Sequence, residues 1–133
     1  MEQKKKIVIV DDDLAYLKMM RGSLAQDYSV IPTTNGAQAL NIIKVARPDL
    51  VLLDYMMPGM DGADVLAKLR SNPRTAAIPV MFLTGKNDSE SVHKVLGEKP
   101  EGYILKSMSI LKIAQVIEDY FKMKDRQEEM DQL

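Results

Sequence analysis

Leu50-Val51-Leu52-Leu53-Asp54-Tyr55-Met56-Met57-Pro58-Gly59-Met60-Asp61-Gly62 decides the fold, because an unbroken apolar run ends in an acid and then in turn chemistry. Apolar residues at every position suit a strand buried on both faces, as in a parallel sheet sandwiched between helices. Three other stretches repeat the design. Ile7-Val8-Ile9-Val10 runs into Asp11-Asp12-Asp13, Val80-Met81-Phe82-Leu83 into Thr84, and Tyr103-Ile104-Leu105 into Lys106. As parallel strands of one sheet, they would deliver their polar ends to a single edge. In open α/β sheets the carboxyl edge is where ligands bind.

Segments of helical period lie between these runs. Leu14, Leu17, Met20 and Leu24 are spaced as a buried helical stripe, and a second strand, Tyr28 to Ile31, is expected to stop at Pro32. Asn35 with Gln38 three residues on is a cap signal, followed by Ala39, Leu40, Ile42, Ile43 and Ala46 before Pro48. Val65, Leu66 and Leu69 carry a helix that ends near Asn72-Pro73, while Gly59 and Gly62 read as turn residues. A short polar helix is predicted over Ser89 to Leu96, with His93 on its solvated face. A final helix opens at Ser109 and turns Ile110, Ile113, Ala114, Ile117 and Phe121 inward. The expected fold is an α/β, flavodoxin-like (βα)5 doubly wound parallel sheet of strand order 2-1-3-4-5. Residues 1–121 would form the domain and 122–133 a C-terminal helix extension or linker.

With 133 residues the chain suits one domain. A net charge of -1 offers no strongly basic face to a nucleic-acid backbone, so direct nucleic-acid binding is not expected. The absence of cysteine excludes a disulfide framework and thiol catalysis. Lys4-Lys5-Lys6 is followed by too short an apolar run for a secretory leader, and no stretch reaches membrane-spanning length. A soluble, cytoplasmic protein is therefore expected. The ten methionines read mainly as core filler.

Strand order 2-1-3-4-5 opens its crevice between strands one and three, which end in Asp11, Asp12 and Asp54. Two carboxylates about 4 Å apart repel by roughly 4 kcal/mol at an effective dielectric near 20, so three together need a cation or a proton. Magnesium suits them. It accepts a few carboxylates and leaves positions for water and phosphate oxygens. Thr84 offers a hydroxyl and Lys106 an ammonium on the far side of Asp54, where they could hold a phosphoryl group, and a carboxylate there can itself be the nucleophile.

Ile-Val-Asp11-Asp12-Asp13, Leu-Leu-Asp54-Tyr-Met-Met-Pro-Gly-Met-Asp-Gly, Phe-Leu-Thr84-Gly and Gly-Tyr103-Ile-Leu-Lys106, in this order and spacing, resemble the receiver domain of bacterial two-component response regulators. The likeness runs from about Lys5 to Phe121. It implies that Asp54 accepts a phosphoryl group from a sensor histidine kinase or phosphotransfer protein, forming an aspartyl phosphate in a phosphorelay. It further implies that Asp11 and Asp12 hold magnesium with Asp54 and the main-chain carbonyl of Met56. Thr84 resembles the switch hydroxyl, Lys106 the lysine that pairs with the phosphoryl group, and Tyr103 the switching aromatic. On this likeness the protein is a phosphoprotein switch and not a true enzyme, although it assists its own phosphorylation and dephosphorylation.

One departure stands out. The family usually has a cis proline after the lysine, and this chain has Ser107. A cis bond before a residue other than proline costs about 3 to 4 kcal/mol, so a trans Lys106–Ser107 bond is expected.

Other classes are weighed against this reading. An aspartate-nucleophile phosphatase on a related fold would carry a second acid two residues after the nucleophile, where Met56 stands. A flavodoxin-type cofactor binder would not place three negative charges after its first strand, and a structural adaptor would have no use for magnesium at Asp54. Ile113, Val116, Tyr120, Met123, Gln127 and Met130 form a heptad-like stripe, expected on a different face from the inward residues of the last helix, that could serve a homodimer or a coiled linker. No output domain lies within these residues. The partner is thus a downstream protein target or an output domain missing from this chain.

Overall fold

The computed structural model describes residues 3–85 and 100–133. In chain order these form β1 (Lys6–Val10), α1 (Leu14–Leu24), β2 (Ser29–Thr33), α2 (Gly36–Ala46), β3 (Leu50–Asp54), α3 (Gly62–Ser71), β4 (Val80–Thr84), β5 (Gly102–Leu105) and α4 (Ile110–Asp131). All neighbouring strands pair in parallel, in the order β2-β1-β3-β4-β5. The predicted topology is therefore the observed one. The helix expected over Ser89 to Leu96, with His93, lies outside the described residues.

The continuous apolar runs serve two cores, because successive strand residues point to opposite faces. Ile7, Ile9, Leu50, Leu52, Met81 and Leu83 pack with Leu17, Met20 and Leu24 of α1 and Ile113, Ile117, Tyr120 and Phe121 of α4. Val8, Val10, Val51, Leu53, Val80 and Phe82 pack on the other face with Ala39 and Ile43 of α2 and Val65, Leu66 and Leu69 of α3. Almost every one of these side chains is fully buried. At about 25 cal/mol per Å² of apolar surface, that burial is what fixes the strand register.

The caps follow the sequence closely. The Asp13 carboxylate accepts from Tyr16 N at 3.2 Å, Asn35 from Gln38 N at 2.8 Å and the Ser109 hydroxyl from Lys112 N at 3.2 Å. Asp61 and Asp64 form a reciprocal capping box on α3. The helix before Pro48 ends at Ala46, with Arg47 in the left-handed region at φ 50°.

Four expectations need correction. β2 does not stop at Pro32 but runs through it to Thr33, with Pro32 opposite Ile9. β2 is an edge strand, where a missing amide donor costs no ladder bond if that side faces outward. Leu14 is 55 % exposed, because it is the first residue of α1 and stands at the end of the sheet with little beneath it. The heptad-like stripe is not a separate face, since Ile113 and Tyr120 belong to the core and Met123, Gln127 and Met130 alone emerge as exposed residues. Gly59 has φ 80° and fits its turn, but Gly62 is the first residue of α3 and answers to a different need. A Cβ there would lie 2.5 Å from the Asp54 carbonyl oxygen and 2.9 Å from Tyr55 Cα. Its amide donates to the Tyr55 carbonyl at 2.8 Å, so this close approach pins the backbone that follows β3.

Gly62→Ala is expected to destabilise the protein by about 2 kcal/mol or more through backbone overlap. Gly22 is an exposed position inside α1 with open space around it, so Gly22→Ala should stabilise by about 0.5–1 kcal/mol. Urea unfolding of both variants checks the pair, and opposite signs are the expected result.

Candidate functional site

Register brings the polar ends together. Val10 pairs with Leu53, so the next residues along, Asp11 and Asp54, end neighbouring strands at one level. Asp54 pairs with Leu83, which puts Thr84 one step beyond it, and Thr84 pairs with Leu105, which puts Lys106 one step further out. The Lys106 amide donates to the Thr84 carbonyl at 2.9 Å and anchors that last step. A staircase of polar groups results.

Carboxylate oxygens of Asp11, Asp12 and Asp54 lie within 4.8 Å of one another. Asp11 and Asp54 are buried and Asp12 is exposed, so the cluster has a solvent-facing side. The Asp13 amide donates to Asp11 Oδ1 at 2.9 Å, orienting that carboxylate while the Asp13 side chain caps α1. Lys106 Nζ sits 2.7 Å from Asp11 Oδ2 and 3.3 Å from Asp54 Oδ1. The sequence places this ammonium on the far side of Asp54, and the structure instead brings it closest to Asp11. The physical reason is that Asp11 has no exposure to water, so its charge is the least screened.

Burial pushes the Asp54 carboxyl up to about 7, the negative charge of Asp11 adds to the rise, and Lys106 offsets only part of it. Burial alone would lower the Lys106 ammonium, but its hydrogen bond and charge contact with Asp11, followed by the charge of Asp54, leave it raised. The chemistry is a crowded set of hard oxygen donors with one ammonium. Three carboxylates within one ligand sphere, one of them held short of full ionisation and one open to solvent, fit a small divalent cation that keeps water ligands.

The response regulator receiver domain model matches residues 7–118. This chain is a member of that family. It is 34% identical over 119 residues to the sensor histidine kinase TmoS of Ectopseudomonas mendocina, covering 90% of this chain and 12% of that protein. It is 36% identical over 104 residues to the DNA-binding response regulator MtrA of Mycobacterium tuberculosis, covering 77% of this chain and 44% of that one. A crystal structure of a response regulator from Desulfuromonas acetoxidans superposes with a TM-score of 0.77 at 26% identity, covering 90% of this chain and 98% of that one. The chain thus spans less than half the length of these two curated relatives. Phosphoryl acceptance is the general function of a receiver domain.

The remaining residues singled out in the sequence are placed as follows. Thr84 is buried, and its hydroxyl donates to the Gly85 carbonyl at 2.8 Å instead of meeting the acidic cluster. Met56 is exposed beside Asp54, and the family's cis bond is absent here, since every described peptide bond is trans. Tyr103 is partly buried, with its ring stacked on Phe82 at 6.3 Å and 11°, and Phe82 meets Tyr55 edge-on at 5.7 Å. An aromatic row therefore joins the residue after Asp54 to β5. Sequence reasoning missed Tyr16, whose ring lies under Lys106 Nζ at 5.1 Å. Burial raises its phenol, Lys106 opposes that, and Asp11 and Asp54 add to it. The advance signal was its place four residues before Met20, beside the apolar stripe of α1, which marks it as core-facing but not as a neighbour of Lys106.

The raised Asp54 value fixes the sign of a pH effect. The folded chain holds this proton more tightly than the unfolded chain, so ionisation costs stability that is absent below about pH 4 and complete above about pH 7. Asp54→Asn is expected to raise stability in magnesium-free buffer by on the order of 2 kcal/mol at pH 8, with little change at pH 4. Denaturant melts at the two pH values check it. An equal effect at both would contradict the assignment.

Proposed function

We propose that this receiver is a magnesium-dependent, phosphoryl-controlled switch in which Asp54 is the acceptor. The observation that supports it is the convergence of Asp11, Asp12, Asp54 and Lys106 at one sheet edge, with carboxylate oxygens within 4.8 Å and the ammonium 2.7 and 3.3 Å from two of them. Asp11, Asp12 and Asp54, with the main-chain carbonyl of Met56, would hold magnesium, whose charge offsets the carboxylates and the phosphoryl oxygens.

An ionised Asp54 oxygen forms the new P–O bond while the P–N bond to the donor histidine breaks and its electron pair returns to the imidazole. Lys106, already anchored through its amide, turns its ammonium from Asp11 toward the phosphoryl oxygens. The Thr84 hydroxyl gives up the Gly85 carbonyl for the same target. Its shift opens room beside β5 for Tyr103, whose ring stacks on Phe82 of the same strand as Thr84. A local gain of charge thereby becomes a change of packing on an outer face.

The donor is a sensor histidine kinase or phosphotransfer protein. The reader is a downstream protein or an output domain reached through residues 122–133, consistent with the greater length of MtrA and TmoS. The exposed Met123 and Met130 give a small apolar strip on which a second copy could dock. Among the described residues no helix is long and apolar enough to cross a membrane; the proposed site of action is the cytoplasm, where the donor's phosphohistidine would be met.

Incubation with magnesium and a small phosphodonor should add one phosphoryl group per chain by intact mass, and none to Asp54→Asn. A gain that survives the substitution would reject Asp54 as acceptor. Magnesium should also raise the unfolding temperature, more at pH 8 than at pH 5, because cation binding requires the ionised carboxylates. Calorimetric scans at both pH values measure this.

A further inference from the structure

We infer that Tyr16 is a positioning residue for Lys106: its ring face holds the ammonium over the acidic cluster, in a reading whose kinetic consequence rests on Asp54 being the acceptor. Lys106 Nζ lies 5.1 Å from the Tyr16 ring centroid, inside the roughly 6 Å reach of a cation–π contact. The same ammonium makes the contacts to Asp11 and Asp54. Three groups thus fix one charge, and only Tyr16 does so without adding negative charge.

The ring is well placed to act as a wall. Tyr16 belongs to the first turn of α1, its amide is held by the Asp13 cap, and its side chain packs against the core shared by α1 and α4. Lys106, by contrast, is held at its amide through Thr84 and at its ammonium by Asp11 and Asp54, and the residue after it, Ser107, is exposed. A flexible four-carbon stem leaving a strand end needs a surface to order it. The ring supplies one.

The phenol oxygen is buried and has no hydrogen-bond partner among the described residues. With no described partner for the hydroxyl, the aromatic face is the part of this side chain that meets the ammonium. This separates the expectations for two substitutions. Tyr16→Phe keeps the face, whereas Tyr16→Leu keeps only bulk.

The test is a cycle of phosphorylation rates, with magnesium and acetyl phosphate at fixed concentrations, on the full chain, Tyr16→Phe, Tyr16→Leu, Lys106→Met and the Leu–Met double variant. Tyr16→Phe should stay within about twofold of the parent, and Tyr16→Leu should slow roughly 3- to 10-fold. In the Lys106→Met background the Leu substitution should change the rate by less than about 1.5-fold. A slowing of equal size in both backgrounds would mean a merely structural effect and overturn the inference, as would Tyr16→Phe falling as far as Tyr16→Leu.

A second readout needs no phosphorylation. The Lys106 ε-methylene protons should show an upfield ring-current shift in the parent and in Tyr16→Phe, and lose it in Tyr16→Leu. If the parent takes no phosphoryl group, the functional reading fails while this shift still decides whether Tyr16 holds Lys106. Unshifted protons in the parent overturn the inference even if phosphorylation proceeds.

Discussion

The Lys106 ammonium rests 2.7 Å from a fully buried Asp11 and 3.3 Å from a nearly buried Asp54, and it is one positive charge against three clustered carboxylates. Like-charged pairs at such separations repel by roughly 4 kcal/mol each at an effective dielectric near 20, so the cluster opposes folding. Opposing it are two apolar cores whose strand residues are almost all inaccessible to water. The cores win. The sheet imposes a register in which the strand ends cannot separate their charges, and the imbalance becomes a standing demand for positive charge. That demand is expressed in Asp54, which burial and Asp11 hold near 7.

The same register links the site to the rest of the molecule. Asp54 is followed by Tyr55, whose ring meets Phe82, and Phe82 stacks on Tyr103 across neighbouring strands. Thr84 ends the strand that carries Phe82, and its hydroxyl donates to the Gly85 carbonyl at 2.8 Å. Packed rings transmit displacement because interiors are dense and compress little. Gly62 holds the near end of this row by admitting the helix to van der Waals contact with the Asp54 and Tyr55 backbone.

Much of this was legible in the sequence because two periodicities and a handful of caps do most of the work. Runs buried on both faces identified the parallel strands, and Asp13, Asn35 and Ser109 announced their helices through side-chain capping chemistry. Asp11, Asp54, Thr84 and Lys106 could be read as one cluster because each stands at, or one residue past, the end of a strand. Features that depend on edges and ends were harder to read. Pro32 looks like a stop until β2 is known to be an edge, and Leu14 looks like core until it is seen to precede the packed turns of α1. Tyr120 was assigned to an outer stripe because helical spacing alone does not say how wide the buried face of α4 is. Tyr16 and the Lys106–Asp11 contact left almost no trace, since a cation's choice between two acids turns on burial, which no spacing records.

The claim that these carboxylates act as one cation site can be examined directly by following the side-chain carboxyl 13C resonances of Asp11, Asp12 and Asp54 while magnesium is added. The account predicts that all three move with one shared midpoint and saturate at one cation per chain, with the Lys106 ε-carbon shifting in step as its ammonium is released from Asp11. Carboxyl signals that move independently, or that stay fixed while magnesium binds elsewhere, would contradict it.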